Sequence, residues 1–109
     1  MTKIVIFGGE SDIASAIKEI EPNTINISYA ECDVTDSNSI RECLEHHQPT
    51  AVVNCAGVSN VQLIKDSDIE LWEKEINVNL IGSYRIAREC ANLGIMDMVF
   101  IASVAGKYG

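Results

Sequence analysis

The sequence predicts an α/β fold in which a doubly wound parallel sheet of about five strands carries helices on both faces. Three observations predict it. Short β-branched runs alternate with segments whose apolar residues recur at helical spacing. The run from Ala51 to Gly57 is apolar on both sides, as a strand covered on both faces must be. Each run also ends in glycine or small polar residues, at the carboxyl end where sheets of this kind bind ligands.

Lys3 to Phe7 reads as the first strand, and Gly8-Gly9-Glu10-Ser11 breaks it. A helix from about Ser11 to Ile20 then sets Ile13, Ala16, Ile17 and Ile20 on one face, and Pro22 and Asn23 close it. Thr24 to Ser28 is a second β-branched run, and ECDVTD, Glu31 to Asp36, reads as a strand end leaving through polar residues. Only Tyr29 and Ala30 separate these two pieces, whereas parallel neighbours need a crossover of about a dozen residues. One piece is therefore degenerate, which predicts a shortened second strand and no helix between it and Asp33. Asp36 or Ser37 caps the next helix, which runs to about His47 with Ile40, Cys43 and Leu44 inward and leaves at Pro49. After Ala51 to Gly57 comes a looser stretch, Val58 to Lys65, then a long helical pattern from Asp66 or Ser67 to Leu93. Ile69, Trp72, Ile76, Leu80, Ile86, Ala87 and Cys90 lie near one stripe of it, and Gly94 ends it. Met96 to Ala102 is the last strand, and residues 1–109 read as one domain without repeats or linkers.

Composition excludes several classes. The 109 residues are 47% apolar, which suits one modest core. A net charge of -8 with no Lys/Arg cluster argues against nucleic acid and anionic membrane as partners. No apolar stretch approaches the roughly 18 residues that span a bilayer, and Met1-Thr2-Lys3 leads straight into a strand-like run, so a cytoplasmic location is expected. Cys32, Cys43, Cys55 and Cys90 contain no CxxC pair and read as reduced, mostly buried thiols. His46 and His47 are adjacent and point apart on a helix, so no metal site is expected.

The polar tips carry the chemistry. IVIFGGESDIASAI, Ile4 to Ile17, is a strand running through glycines into a helix. CDVTD spans Cys32 to Asp36, NCAG spans Asn54 to Gly57, WEKEINVNLIG holds Asn79 at 25 positions after Asn54 (79 minus 54), and FIASVAGKYG holds Ser103. Together these resemble the short-chain dehydrogenase/reductase family, whose Rossmann-like fold binds NAD or NADP, and the resemblance covers essentially the whole chain. The family's TGxxxGxG loop falls on Phe7 to Ala14, with the first glycine kept in register and Asp12 and Ala14 in place of the others. The resemblance implies cofactor contacts from Gly8, Gly9, Ser11, Asp12 and Ile13. It implies that Asp33 takes the adenine amino group and the Val34 backbone the ring. It makes Asn54 a brace for the central sheet and lets Ala56 and Gly57 bring the backbone to the ribose. Asn79 matches the asparagine that interrupts the long helix for a proton relay, and Ser103 the serine that polarises the substrate carbonyl.

Each has a plainer reading beside it. Ser11 and Asp12 also serve as helix cap and dipole compensation, for which a pyrophosphate would compete. Ser103 also reads as a turn residue, and Asn79 as a polar residue on a helix face. Ser28 and Tyr29, at the second strand's end, offer neither an acidic hook for a ribose hydroxyl nor an arginine for a 2′-phosphate, and with Glu10 nearby NAD is preferred over NADP.

The family's general acid is the tyrosine of a YxxxK motif, which the resemblance places near position 115; Tyr108 lies only five positions past Ser103 and does not match it. The sequence is therefore expected to be the amino-terminal part of an NAD(P)-dependent oxidoreductase acting on a carbonyl or alcohol, inactive as it stands and self-associating as a homo-oligomer. Two alternatives stay open. One is a non-catalytic dinucleotide-binding or interaction module; the other is a fragment of an extended-type sugar-nucleotide epimerase or reductase.

Overall fold

Four β-branched runs pair side by side in a parallel sheet because their alternate side chains are apolar on both faces. The structure, a computed structural model, describes residues 2–59 and 63–103. The strands are β1 (Ile4–Phe7), β2 (Ile25–Ile27), β3 (Ala51–Asn54) and β4 (Asp97–Phe100), in the order β2-β1-β3-β4. Val5 lies between Ile25 and Val52, and Val52 faces Met98 in turn, so one row of side chains crosses the whole sheet.

Four α-helices connect the strands: α1 (Asp12–Ile20), α2 (Ser37–His47), α3 (Ile69–Glu75) and α4 (Gly82–Asn92), with a π-helical turn, Ile76–Ile81, between the last two. From β1 the chain steps outward to β2, then crosses back to β3 and on to β4. Right-handed crossovers put α1 on one face of the sheet, and α2 and α4 on the other. The main core lies on that second face: Val5, Phe7, Ile27 and Val52 of the sheet meet Ile40 and Leu44 of α2 and Ile86 and Cys90 of α4. Arg41 of α2 reaches the buried Glu89 of α4 at 3.1 Å and ties the two helices together.

Helix ends follow local chemistry. The Asp36 carboxylate accepts the Asn38 N–H at 2.9 Å and starts α2. Gly94, at φ 76°, ends α4, with Ile95 N–H donating to the Cys90 carbonyl and Gly94 N–H to that of Ala91. This is the Schellman arrangement, and Ile95 packs inward behind it.

Several expectations change. As the short crossover required, β2 has three residues, but Glu31 to Asp36 forms turns and no strand, so four strands are seen where about five were expected. β3 stops at Asn54 and β4 at Phe100, leaving their polar tips in loops. In α1 the buried residue is Ala14, while Ile13 and Ile20 are 49% and 79% exposed. The expected inward face of α1 is thus largely outward, because this one helix lies alone on its side of the sheet. The long helix begins at Ile69, and its expected stripe is broken: Ile69, Trp72 and Leu80 are exposed, whereas Val78, Gly82, Ile86 and Cys90 are buried. A π-turn takes one residue more per turn than an α-turn, so the inward face shifts in register across it.

Candidate functional site

Strand order reverses at β1, and a cavity of about 420 Å³ opens there, outside the carboxyl ends of β1 and β3. Its first wall is the loop after β1. Gly8 adopts φ +70°, and a Cβ at this position would lie 2.4 Å from the Ala56 nitrogen, so the loops after β1 and β3 touch backbone to backbone. Gly9 is closed off in the same manner on the other side: its N–H donates to Ile27 at 2.8 Å, and a Cβ would meet Asn26 and Ile27 at 2.7 Å. The Asn26 amide donates to the carbonyls of Gly9 and Ala14, which fixes this loop against β2.

Ser11 caps α1 by accepting the Ala14 N–H at 3.1 Å. The next two amides, of Asp12 and Ile13, open the helix and have no acceptor inside it. Asp12 lies exposed in the first turn. Ser11 lines the cavity; Gly9, Asp12 and Ile13 do not.

The turn after β2 forms the second wall, through Tyr29, Cys32 and Val34. Asp33 points into its own turn, where one carboxylate oxygen accepts the Thr35 N–H at 2.9 Å and hydroxyl at 2.7 Å. Arg85 of α4 holds the turn from behind. Its guanidinium donates to the Val34 and Asn77 carbonyls at 3.2 Å each and to the Asn77 side chain at 2.8 Å. Gly82 permits this approach, since a Cβ there would stand 3.0 Å from the Val34 methyl.

Cys55, Ala56, Gly57 and Val58, after β3, form the third wall. Asn54 is 4% exposed beneath it, accepting the Ala56 N–H at 2.9 Å and donating to the Ser83 hydroxyl at 3.2 Å. That hydroxyl donates in turn to the Asn79 carbonyl at 2.9 Å. The Asn79 amide clasps the Val58 backbone both ways, at 2.8 and 2.7 Å. Asn79 therefore joins the π-turn to the β3 loop, and its side chain does not line the cavity. Ser103 is exposed, three positions beyond the end of β4, and also lies outside the lining.

Five expected residues thus line one space: Gly8, Ser11, Val34, Ala56 and Gly57. The sequence reading had not assigned the other lining residues to the site: Glu10, Tyr29, Cys32, Cys55 and Val58 are neighbours of expected residues in the same loops, whereas Lys74 and Val78 come from the long helix. Val78 stands beside Asn79, and Lys74 precedes Val78 by four residues, so the spacing of these two from Asn79 was the available signal. Glu10 and Lys74 give the cavity one charge of each sign. Burial pushes the Cys55 thiol up, against a smaller opposing effect of its bond with Ser11, so it is neutral here. Among the described residues no cluster of ligands suited to a metal ion occurs, and no helix is long and apolar enough to cross a membrane.

The family model described as short chain dehydrogenase matches residues 1–109. The 3-oxoacyl-[acyl-carrier-protein] reductase MabA of Mycobacterium bovis is 36% identical over 88 residues, covering 72% of this chain and 36% of that protein. This chain thus spans about a third of that relative's length. In fold it is similar to a dTDP-4-dehydrorhamnose reductase from Bacillus anthracis, solved in complex with NADP: the TM-score is 0.78 at 17% identity, over 94% of this chain and 36% of that one. A short-chain dehydrogenase/reductase from Vibrio parahaemolyticus gives a TM-score of 0.79 at 20% identity, over 95% and 64% of the two chains.

Proposed function

The chain belongs to the short-chain dehydrogenase family, and from that premise we propose that its cavity binds a nicotinamide dinucleotide, as part of an oxidoreductase acting on a carbonyl or alcohol. The observation that carries this reading is the contact of Gly8 with Ala56 at the point where strand order reverses. It leaves an open space at two loops that no side chain of the described residues fills.

The residues present fit the group. The amides of Asp12 and Ile13 lie outside the lining but directly follow Ser11, which is part of it, and suit a pyrophosphate at the cavity's edge; the apolar walls from Val34, Val58 and Val78 suit an adenine ring. The nicotinamide supplies or accepts the hydride when bound. In this reading Asp33 receives the adenine amino group on the carboxylate oxygen its own turn leaves over. Gly57 brings the backbone to a ribose: a Cβ there meets nothing nearer than Asn79 at 3.3 Å. Asn54 and Asn79 are positioning residues, since their bonds hold the β3 loop and the π-turn in place. Ser103 presents a hydroxyl to the substrate carbonyl, where it stabilises developing negative charge. The 109 residues contain no YxxxK pair to deliver a proton, so they are proposed to bind cofactor without turning substrate over.

NAD is the proposed cofactor over NADP, because Glu10 shares a loop with Ser11 and repels a 2′-phosphate, although Lys74 partly offsets it. Trp72, the single tryptophan, stands on α3 two residues before Lys74. Titration with NADH and with NADPH should quench its fluorescence saturably, with the tighter constant for NADH. No saturation up to about 1 mM, equivalent to roughly 4 kcal/mol, overturns the cofactor reading.

A further inference from the structure

All four cysteines are free thiols, Cys32 and Cys90 buried and Cys43 and Cys55 half-buried. Cys32 is 4% exposed, fixed by its N–H to the Ser28 carbonyl at 3.0 Å, and it lines the cavity. Ser39, in the first turn of α2, accepts the Asp33 N–H at 3.1 Å and also bonds the Cys32 thiol. Cys43 follows Ser39 by four residues, on the same helix face. It packs, half-buried, against the core cluster that contains Cys32, and each thiol shifts the titration of the other. Cys55 bonds to Ser11 instead, and Cys90 lies buried on α4.

We propose that Cys32 and Cys43 form an oxidisable dithiol site, which closes to an intramolecular disulfide when a small peroxide enters the cavity. The Cys32 sulfur attacks one peroxide oxygen and the O–O bond breaks. The other oxygen leaves as hydroxide, takes the Cys32 proton and becomes water, and Cys32 is left as a sulfenic acid. The Cys43 sulfur then attacks that sulfur. The S–O bond breaks, and a second water departs with the Cys43 proton. Two thiols have lost two electrons, and the peroxide has been reduced to two waters.

The division of labour follows from the geometry. Cys32 faces the cavity, while Cys43 lies behind it on α2. Cys43, helped by Ser39, holds the Cys32 thiol below the usual range against burial and the charges of Asp33 and Asp36. Cys32 in turn, with burial, pushes Cys43 up. Because Cys32 and not Cys43 lines the cavity, Cys32 is the nucleophile and Cys43 the resolving thiol.

The test is exposure of the whole chain to excess hydrogen peroxide at neutral pH, then non-reducing digestion and mass spectrometry. The expected result is a loss of about 2 Da, reversed by dithiothreitol, with one crosslinked peptide pair joining Cys32 to Cys43 in a monomer. Thiol titration should fall from four to two. Cys55→Ser should keep the crosslink. Cys43→Ser should leave a sulfenic acid on Cys32 that dimedone traps. Retention of all thiols, a crosslink through Cys55 or Cys90, or one joining two chains overturns the site. Absence of the dimedone adduct in Cys43→Ser overturns Cys32 as the attacking sulfur.

Discussion

Gly8 shows how one residue decides the site. Its φ of +70° and the 2.4 Å separation that a Cβ would have from Ala56 leave no room for any other side chain. Gly8→Ala should lower the free energy of unfolding, measured by denaturant titration, by about 1 to 3 kcal/mol for backbone strain alone, with more from displacing the β3 loop. It should also weaken NADH binding. Unchanged stability would show that the two loops do not touch. Glu31 makes a subtler contribution. Its carboxylate accepts the Ser28 N–H at 3.0 Å and hydroxyl at 2.9 Å, and these bonds, the backbone one first, hold it below the ordinary carboxylate value. A folded pKa below the unfolded one adds stability in full above 4.5, the ordinary value, and loses it as pH falls through the lower folded value. Melting temperature should therefore drop across that acid window by less in Glu31→Gln than in the parent chain. Gly8 was legible in the sequence because a glycine between a strand and a helix has few other uses. The inward turn of Asp33 and the thiol pair were not, since both depend on how α2 settles against a turn that carries no regular pattern.

At the scale of elements, what the sequence announced were the ends. Ser11, Asp36 and Gly94 each stand where a helix starts or stops, because caps are local chemistry. Faces were less legible. The periodic stripe on the long helix assumed constant turns, and the π-turn at Ile76–Ile81 shifts everything after it. The Asn77 carbonyl, which already accepts the Gly82 N–H across that turn, takes a second donor from Arg85, which also holds Val34. Arg85→Met should therefore loosen the turn after β2 without removing any group from the cavity lining. Hydrogen bonds from a charged donor contribute about 1.5 to 3 kcal/mol, so NADH affinity should fall about tenfold or more with far-ultraviolet circular dichroism unchanged. Arg85→Lys should recover little of it, because an ammonium cannot fork between two carbonyls and an amide. An affinity equal to the parent's in Arg85→Met would leave Arg85 a surface tie with no bearing on the site.

For the molecule as a whole, the sheet's two faces differ in cover. The face of Val5, Phe7 and Val52 is sealed by α2 and α4. On the opposite face Ile6 is buried, but its lateral neighbour beyond Val53, Val99, is 54% exposed, and Ile101 just past the strand is 43% exposed. β4 is also an edge strand, with unpaired backbone groups on its outer side. Val99 and Ile101 are apolar surface of a kind that parallel sheets ordinarily keep from water, and Ile13 of α1 is exposed as well. We predict that the 109-residue chain self-associates, and that it does so through the β4 side. Sedimentation of the 109-residue chain should show a dimer or larger species, which Val99→Lys shifts toward monomer. The long helix offers a competing surface, since Trp72, Leu80 and Tyr84 are also exposed. If Leu80→Lys dissociates the assembly and Val99→Lys does not, the contact runs through the helix. A compact monomer in the unmodified chain at high concentration would show that the open face is tolerated in water.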